Sequence, residues 1–300
     1  MWKSAREVIF AVLLAVAVIS GVHGNSQDNL ATYTELEWAS YGLTGRIVNG
    51  TKAVSKQFPY QVSLQRSYNS RHFCGGSLID EYYVLTAAHC MFLNGEQILP
   101  WTVAIVAGEL QLDTQTKAGQ RRGVDEIYVH SEFNSSTLQN DVALLHLKVP
   151  FKLTEEITPI LLAVEPPKAD TVCQVSGWGY TAENYPVVSN DLMYVDLPIV
   201  DTEVCAKLMV NITDMLPGMF CAGYMEGQRD ACQGDSGGGM ICNGHLTGVV
   251  SGGYGCAHPQ TPGIYSSVLF FEDWILKNMK APAIVSKDVD VSGTKQVKSE

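Results

Sequence analysis

The chain carries only one long apolar run. Residues 8–22 form a stretch of 15 residues, short of the ~20 that a helix needs to cross a bilayer, which argues against a membrane anchor. Lys3 and Arg6 precede this run and His23-Gly24-Asn25 follow it. A basic head, an apolar core and a small residue at the cleavage point read as a secretory signal over residues 1–24. Surplus positive charge is also missing. Against 31 Asp+Glu stand 20 Lys+Arg, a net charge of -11, which excludes a nucleic-acid partner because phosphate binding needs a basic face. Residues 1–46 hold three basic and four acidic side chains, so the acidity lies in the body beyond them. Its field weakly favours cationic substrates. Paired C-x-x-C units are absent and the seven histidines are scattered, which fits no zinc site. No repeat recurs at a period of about 20 to 50 residues.

The rest is ordinary globular material, 46% hydrophobic and 17% charged, enough for a sizeable core. All eight cysteines, Cys74, Cys90, Cys173, Cys205, Cys221, Cys232, Cys242 and Cys256, lie in the body. An even count behind a secretory signal reads as four disulfides, in any of roughly a hundred pairings. The sequons at Asn49, Asn134 and Asn211 are glycosylation candidates in that compartment. Residues 25–46 are polar, free of cysteine, and end in Arg46 before the apolar pair Ile47-Val48. That junction predicts cleavage after Arg46, releasing residues 25–46 as an untethered propeptide and leaving Ile47 as a new terminus; a plain loop feeding a first strand would read the same way.

Short β-rich runs follow at residues 60–65, 84–87, 101–107, 142–147, 172–176 and 246–251, separated by turn residues. Many strands without helical periods between them predict an all-β fold of sandwiches or barrels, with two similar halves joined across residues 150–170. Helices are expected near residues 201–209, with Asp201 as N-cap, and at the end. There Phe271, Trp274, Ile275 and Met279 fall on one stripe. The tail 281–300 lacks aromatics and is expected to be disordered.

One stretch, Asp230-Ala231-Cys232-Gln233-Gly234-Asp235-Ser236-Gly237-Gly238-Gly239, combines a hydroxyl nucleophile, two acids and a run of glycines. Ser236 between Gly234 and Gly237 can sit on a sharp turn with backbone N–H groups aimed at one point, as an oxyanion requires. A Gly-rich surface turn would read the same way. Candidate partners are His89, at the end of Thr86-Ala87-Ala88-His89-Cys90, and Asp141, at the mouth of Asp141-Val142-Ala143-Leu144-Leu145. Together they give the order His, Asp, Ser.

With these motifs, and with Ile47-Val48-Asn49-Gly50, Gly177-Trp178-Gly179 and Pro262-Gly263-Ile264-Tyr265, the chain resembles the trypsin-like serine endopeptidases of the chymotrypsin family over residues 47–280. The resemblance implies two six-stranded antiparallel Greek-key barrels with a C-terminal helix. It also implies the disulfides Cys74–Cys90, Cys173–Cys242, Cys205–Cys221 and Cys232–Cys256. His89, Asp141 and Ser236 become the catalytic residues, and Gly234 and Ser236 the oxyanion donors. Asp230 becomes the floor of a substrate pocket with Ser251, Gly253 and Gly263 on its walls, predicting cleavage after Arg or Lys. Ala231, where serine is common, shifts the preference toward Arg. Asp235 becomes the acceptor of the Ile47 ammonium. No cofactor or metal is implied. Glu109 matches one carboxylate of the family's calcium loop, but no partner acids stand between Gln115 and Gln120, so no structural calcium is expected.

The expected partners are protein or peptide substrates, protein protease inhibitors, and an activating protease or the enzyme itself. The protein is expected to be a secreted monomer with no membrane or nucleic-acid partner. Besides Ala231, two residues depart from the pattern. Gly239 replaces the usual proline and Gly252 the usual tryptophan. The alternative function is a catalytically silent secreted homologue acting as a binding partner, whose usual sign, a substituted triad residue, is absent.

Overall fold

Alternation of inward and outward side chains decides which runs become strands, and the computed structural model of the chain describes residues 47–183 and 185–279. The signal, the propeptide with Arg46, and the tail 281–300 lie outside the described residues. A two-residue strand β1 (Thr51–Lys52) comes first. Then β2 (Gln61–Arg66), β3 (His72–Leu78) and β4 (Tyr83–Thr86) are followed by a small hairpin, β5 (Phe92–Leu93) and β6 (Glu96–Gln97). After β7 (Val103–Ala107), β8 (Gln120–Val129) and β9 (Ala143–Leu147), six strands close into a barrel in the order β2-β3-β4-β9-β8-β7. Val62, Leu64, Val84, Ile105, Leu145 and Leu147 share its inner face and fill it, fully buried. The run expected to start at Trp101 begins at Val103 instead. Pro100 fixes the backbone for a tight 3-10 turn over Pro100–Thr102.

The second half contains β10 (Val172–Gly177), the hairpin β11 (Tyr180–Ala182) and β12 (Tyr185–Val188), β13 (Met193–Pro198), β14 (Met219–Ala222), β15 (Gly239–Cys242), β16 (His245–Gly252) and β17 (Gly263–Ser267). Its main sheet runs β1-β13-β10-β15-β16-β17-β14. Just past β13, an Ile199–Ala222 bridge and the Val200 N–H to Cys221 carbonyl bond at 2.9 Å bring β14 back and close the second barrel. The short β1 takes the other half of that edge, at Met193 and Tyr194. The all-β, two-barrel expectation is therefore borne out, with β1 as an added seventh strand.

Both expected helices form. In α1 (Thr202–Met209) the Asp201 carboxylate accepts from the N–H groups of Glu203 and Val204, filling two of the donors a helix start leaves free. Helix α2 (Glu272–Asn278) buries Ile275 completely, and with Phe271, Trp274 and Met279 it packs on the first barrel's core. The disulfides join Cys74 to Cys90, Cys173 to Cys242, Cys205 to Cys221 and Cys232 to Cys256.

Gly239 lies on β15, where a Cβ would stand 2.4 Å from Ser77 Oγ and 2.6 Å from Leu246 Cδ1. Crowding between the barrels explains this glycine. Gly239→Ala is expected to lower stability by about 1 to 3 kcal/mol, as overpacked cores do. Urea denaturation measures it, and an unchanged midpoint would show that the neighbours yield freely.

Candidate active site

Strand register brings the first two polar residues together. Antiparallel pairing of β4 with β9 sets Thr86 opposite Ala143, so the chain leaving β4 meets the chain entering β9. Three residues past Thr86 is His89; two before Ala143 is Asp141. Asp141 is fully buried. Its Oδ1 accepts the His89 backbone N–H at 2.8 Å, while Oδ2 accepts His89 Nδ1 at 2.7 Å and the Ser251 hydroxyl at 2.6 Å. Ser266 donates to the Asp141 carbonyl at 2.9 Å. A carboxylate only accepts, so His89 holds a proton on Nδ1, and in the neutral ring Nε2 is then the acceptor.

Ser236 belongs to the second barrel, on the loop before β15, and glycines let that loop reach the first. A Cβ on Gly237 (φ +79°) would stand 2.1 Å from Thr86 Oγ1 and 2.7 Å from the Gly75 carbonyl. Only glycine fits there. The Gly75 N–H donates to the Ser236 carbonyl at 2.8 Å, and Thr86 Oγ1 to the Gly75 carbonyl at 2.8 Å. The Ser236 turn is thereby tied to the turn that carries His89. Among the described residues Ser236 Oγ makes no hydrogen bond, to His89 Nε2 or otherwise. Such bonds are often long without substrate and tighten when it binds.

The neighbouring N–H groups are oriented from behind. Tyr180 N–H donates to the Gln233 carbonyl at 2.7 Å. In a trans peptide the N–H points opposite to the C=O, so the Gly234 N–H faces away from Tyr180. His72 Nε2 donates to the Gly234 carbonyl at 2.9 Å and its Nδ1 accepts from Ser63 Oγ at 2.8 Å. Burial pushes His72 down to about 4, so it stays neutral and keeps this tautomer. Among the described residues, the N–H groups of Gly234 and Ser236 have no acceptor.

Beside Ser236 opens a cavity of about 130 Å³ lined by Asp230, Ser251, Gly253, Gly255, Gly263 and Tyr265, among others. Asp230 is buried, with Oδ2 accepting from the Ala257 N–H at 3.1 Å and Oδ1 unpartnered, as is the buried Tyr265 hydroxyl. Burial pushes the Asp230 carboxyl up to about 7. A Cβ on Gly263 would lie 3.0 Å from Oδ1, whereas one on Gly253 would meet nothing closer than 3.8 Å. At the cavity mouth, a Cβ on Gly252 would meet Leu138 Cδ1 at 2.6 Å. Leucine covers the place from which tryptophan is missing.

Asp235 points inward, fully buried, and accepts from Gly179 N–H at 2.8 Å and Cys232 N–H at 3.0 Å. Burial pushes it up to about 6. No cationic side chain among the described residues pairs with it. Ile47, also fully buried, belongs to the second barrel's core and has φ 33°. The sequon residues lie on the surface. Asn134 and Asn211 are exposed, and Asn49 donates Nδ2 to the Gln228 carbonyl at 2.8 Å. Sequence reasoning missed His72, Thr86, Gly75, Leu138 and Ser266. Of these, only Thr86 stood inside a recognised motif.

The family model described as trypsin matches residues 47–275. Trypsin-2 of Salmo salar is 38% identical over 234 residues, covering 78% of this chain and 95% of its own length. The anionic trypsin of Bos taurus is 38% identical over 239 residues, 79% of this chain and 90% of its own. Serine protease 1 of Rattus norvegicus is 37% identical over 236 residues, with coverages of 79% and 91%.

The Asp230 carboxyl, at about 7 in the folded chain, titrates near about 3.9 when unfolded. The unfolded chain ionises first, so stability falls as pH rises through about 4 to 7 and then levels off. Asp230→Asn should therefore raise the melting temperature at pH 8, by up to about 4 kcal/mol of stability, and leave it unchanged at pH 4. Equal melting at pH 8 would mean that the charge is relieved elsewhere.

Proposed function

The chain belongs to the trypsin family of serine endopeptidases, and we propose that it is a secreted precursor that, once cleaved after Arg46, hydrolyses peptide bonds following arginine or lysine. The observation that carries this reading is the buried, half-satisfied Asp230 carboxylate at the end of a cavity that opens beside Ser236. An unpaired buried charge costs about 3 to 5 kcal/mol, and an arginine or lysine side chain answers it. Gly253 leaves room for a long side chain to enter. Because Ala231 offers no hydroxyl to an ammonium, whereas a guanidinium pairs with Asp230 through two N–H groups, arginine is favoured over lysine.

In the chemical step His89 Nε2 takes the Ser236 hydroxyl proton as Oγ attacks the carbonyl, and returns it to the leaving amine. Asp141 holds the ring and stabilises its cation; Ser251 and Ser266 hold Asp141. The N–H groups of Gly234 and Ser236 receive the oxyanion, with about 3 to 4 kcal/mol resting on each such donor in comparable sites. Water then releases the acyl group by the same proton route. The step uses no metal. For a structural calcium, about six to eight oxygens are needed; the cavity at Glu109 has Asp113 as its one other carboxylate and is also lined by the cationic Arg121, which does not fit.

Activation is supported by strain and charge together. A β-branched residue at φ 33° is strained by about 1 to 3 kcal/mol, and a chain terminus has no φ. Cleavage before Ile47 removes that strain and creates an ammonium that can answer Asp235. Four disulfides suit an oxidising, extracellular setting. Protein substrates and protein inhibitors are its partners; an activating protease or self-cleavage, and a monomeric state, complete the reading.

After cleavage at Arg46, Ser236 should react with a fluorophosphonate, and a peptide library should be cut after Arg more efficiently than after Lys. An enzyme without Ser236 labelling would be a silent homologue. The KM for Arg peptides should rise as pH falls through about 7, because Asp230 must be ionised to hold the cation. Arg46→Gln should give a folded protein nearly devoid of activity. Full activity from it would remove the activation scheme.

A further inference from the structure

Two exposed loops flank the outer wall of the Asp230 cavity, and one contact joins them. Glu183, at the turn of the β11–β12 hairpin, accepts a hydrogen bond from His258 Nε2 at 2.5 Å. The pair lies directly over Gly255, one of the cavity-lining residues. A Cβ on Gly255 (φ +70°) would stand 2.4 Å from His258 Cδ2 and 2.6 Å from Glu183 Oε1. No side chain fits between the pair and the wall.

The strand of chain behind this contact reaches the pocket floor. Ala257, immediately before His258, donates its N–H to Asp230 Oδ2 at 3.1 Å. Ala257 also accepts from Gln228 N–H at 2.9 Å, and the His258 carbonyl accepts from Thr261 Oγ1 at 3.0 Å. The His258 backbone is thus fixed on one side by Thr261 and its ring on the other by Glu183. Tyr254 also faces the ring, its centroid 6.5 Å away.

We propose that Glu183 and His258 form a strap across the specificity pocket, a pair of positioning residues that holds Gly255 against the bound side chain and keeps the Ala257 N–H on Asp230. This rests on the reading of Asp230 as the acceptor of a substrate cation. The strap fits planar amidinium and guanidinium groups better than narrower ones, because it sets the width of the slot. It does not touch the reacting atoms.

The hairpin that bears Glu183 also bears Tyr180, whose N–H holds the Gln233 carbonyl behind the oxyanion donors. That gives a discriminating readout. If Glu183 merely stiffened the hairpin, its loss would disturb the Gly234 N–H and lower kcat. If it straps the pocket, its loss raises KM for Arg peptides and Ki for benzamidine, a cation that enters only the pocket, and spares kcat.

The experiment uses the cleaved full-length protein with Glu183→Ala, Glu183→Gln, His258→Ala and the double Ala variant, each normalised by active-site titration. Each Ala variant is expected to raise KM for Arg peptides and benzamidine Ki about two- to fivefold, the range of an exposed ion pair. The double variant should add nothing beyond the larger single effect, since one interaction is lost only once. Glu183→Gln, which keeps the acceptor, should recover part of the loss. Unchanged Ki in all variants, additive effects, or a fall in kcat at constant KM would each overturn the strap while leaving the Arg specificity intact. A parent enzyme that neither cleaves after Arg nor binds benzamidine would overturn the specificity reading and the strap with it.

Discussion

A carboxylate shut away from water must be answered by donors or by a cation, and the site is built from three different answers. Asp141 is satisfied within the fold, by the His89 ring, the His89 backbone and Ser251. Asp235 has two backbone donors and no cationic partner among the described residues. Asp230 has an oxygen with no partner at all. On the proposed reading, the fully satisfied carboxylate is a rigid part, and the two left short of donors are those that a substrate side chain and a newly made chain end would answer.

Holding three such groups so close together requires backbones to approach more nearly than side chains allow. Gly237 meets the first barrel at Thr86, and Gly177 and Gly179 admit the Asp235 carboxylate, one of whose oxygens would stand 2.1 Å from a Cβ on Gly177. These glycines are a packing requirement of the buried charge. Their density around Ser236 is what gave the stretch its ambiguous appearance.

The all-β class was legible because period-two runs and turn residues are local signals, whereas the choice of two barrels over a sandwich came from the family resemblance. The disulfide pairs were not legible from spacing, and only the family resemblance selected among them. His89, Asp141 and Ser236 stood out as motif residues, but nothing local showed that the register of β4 with β9 brings the first two together. Residues acting from other strands were beyond reach. His72 reads as an ordinary strand residue until its ring meets Gly234, and Leu138 as a loop residue until it covers Gly252. Gly239, odd in sequence, became intelligible only when Ser77 and Leu246 were seen on either side of it. Signals of this kind are long-range contacts, and a single sequence does not spell them.

Helix α2 closes the account in time as well as in space. It is the last described element of the chain, yet Phe271 and Ile275 are buried in the core of the first barrel. Synthesis runs from the N-terminus, so the barrel that carries His89 and Asp141 lacks part of its interior until the final turns have been made. The first barrel's interior is thus sealed by a segment made about 120 residues after its last strand, so the two halves of the fold depend on each other.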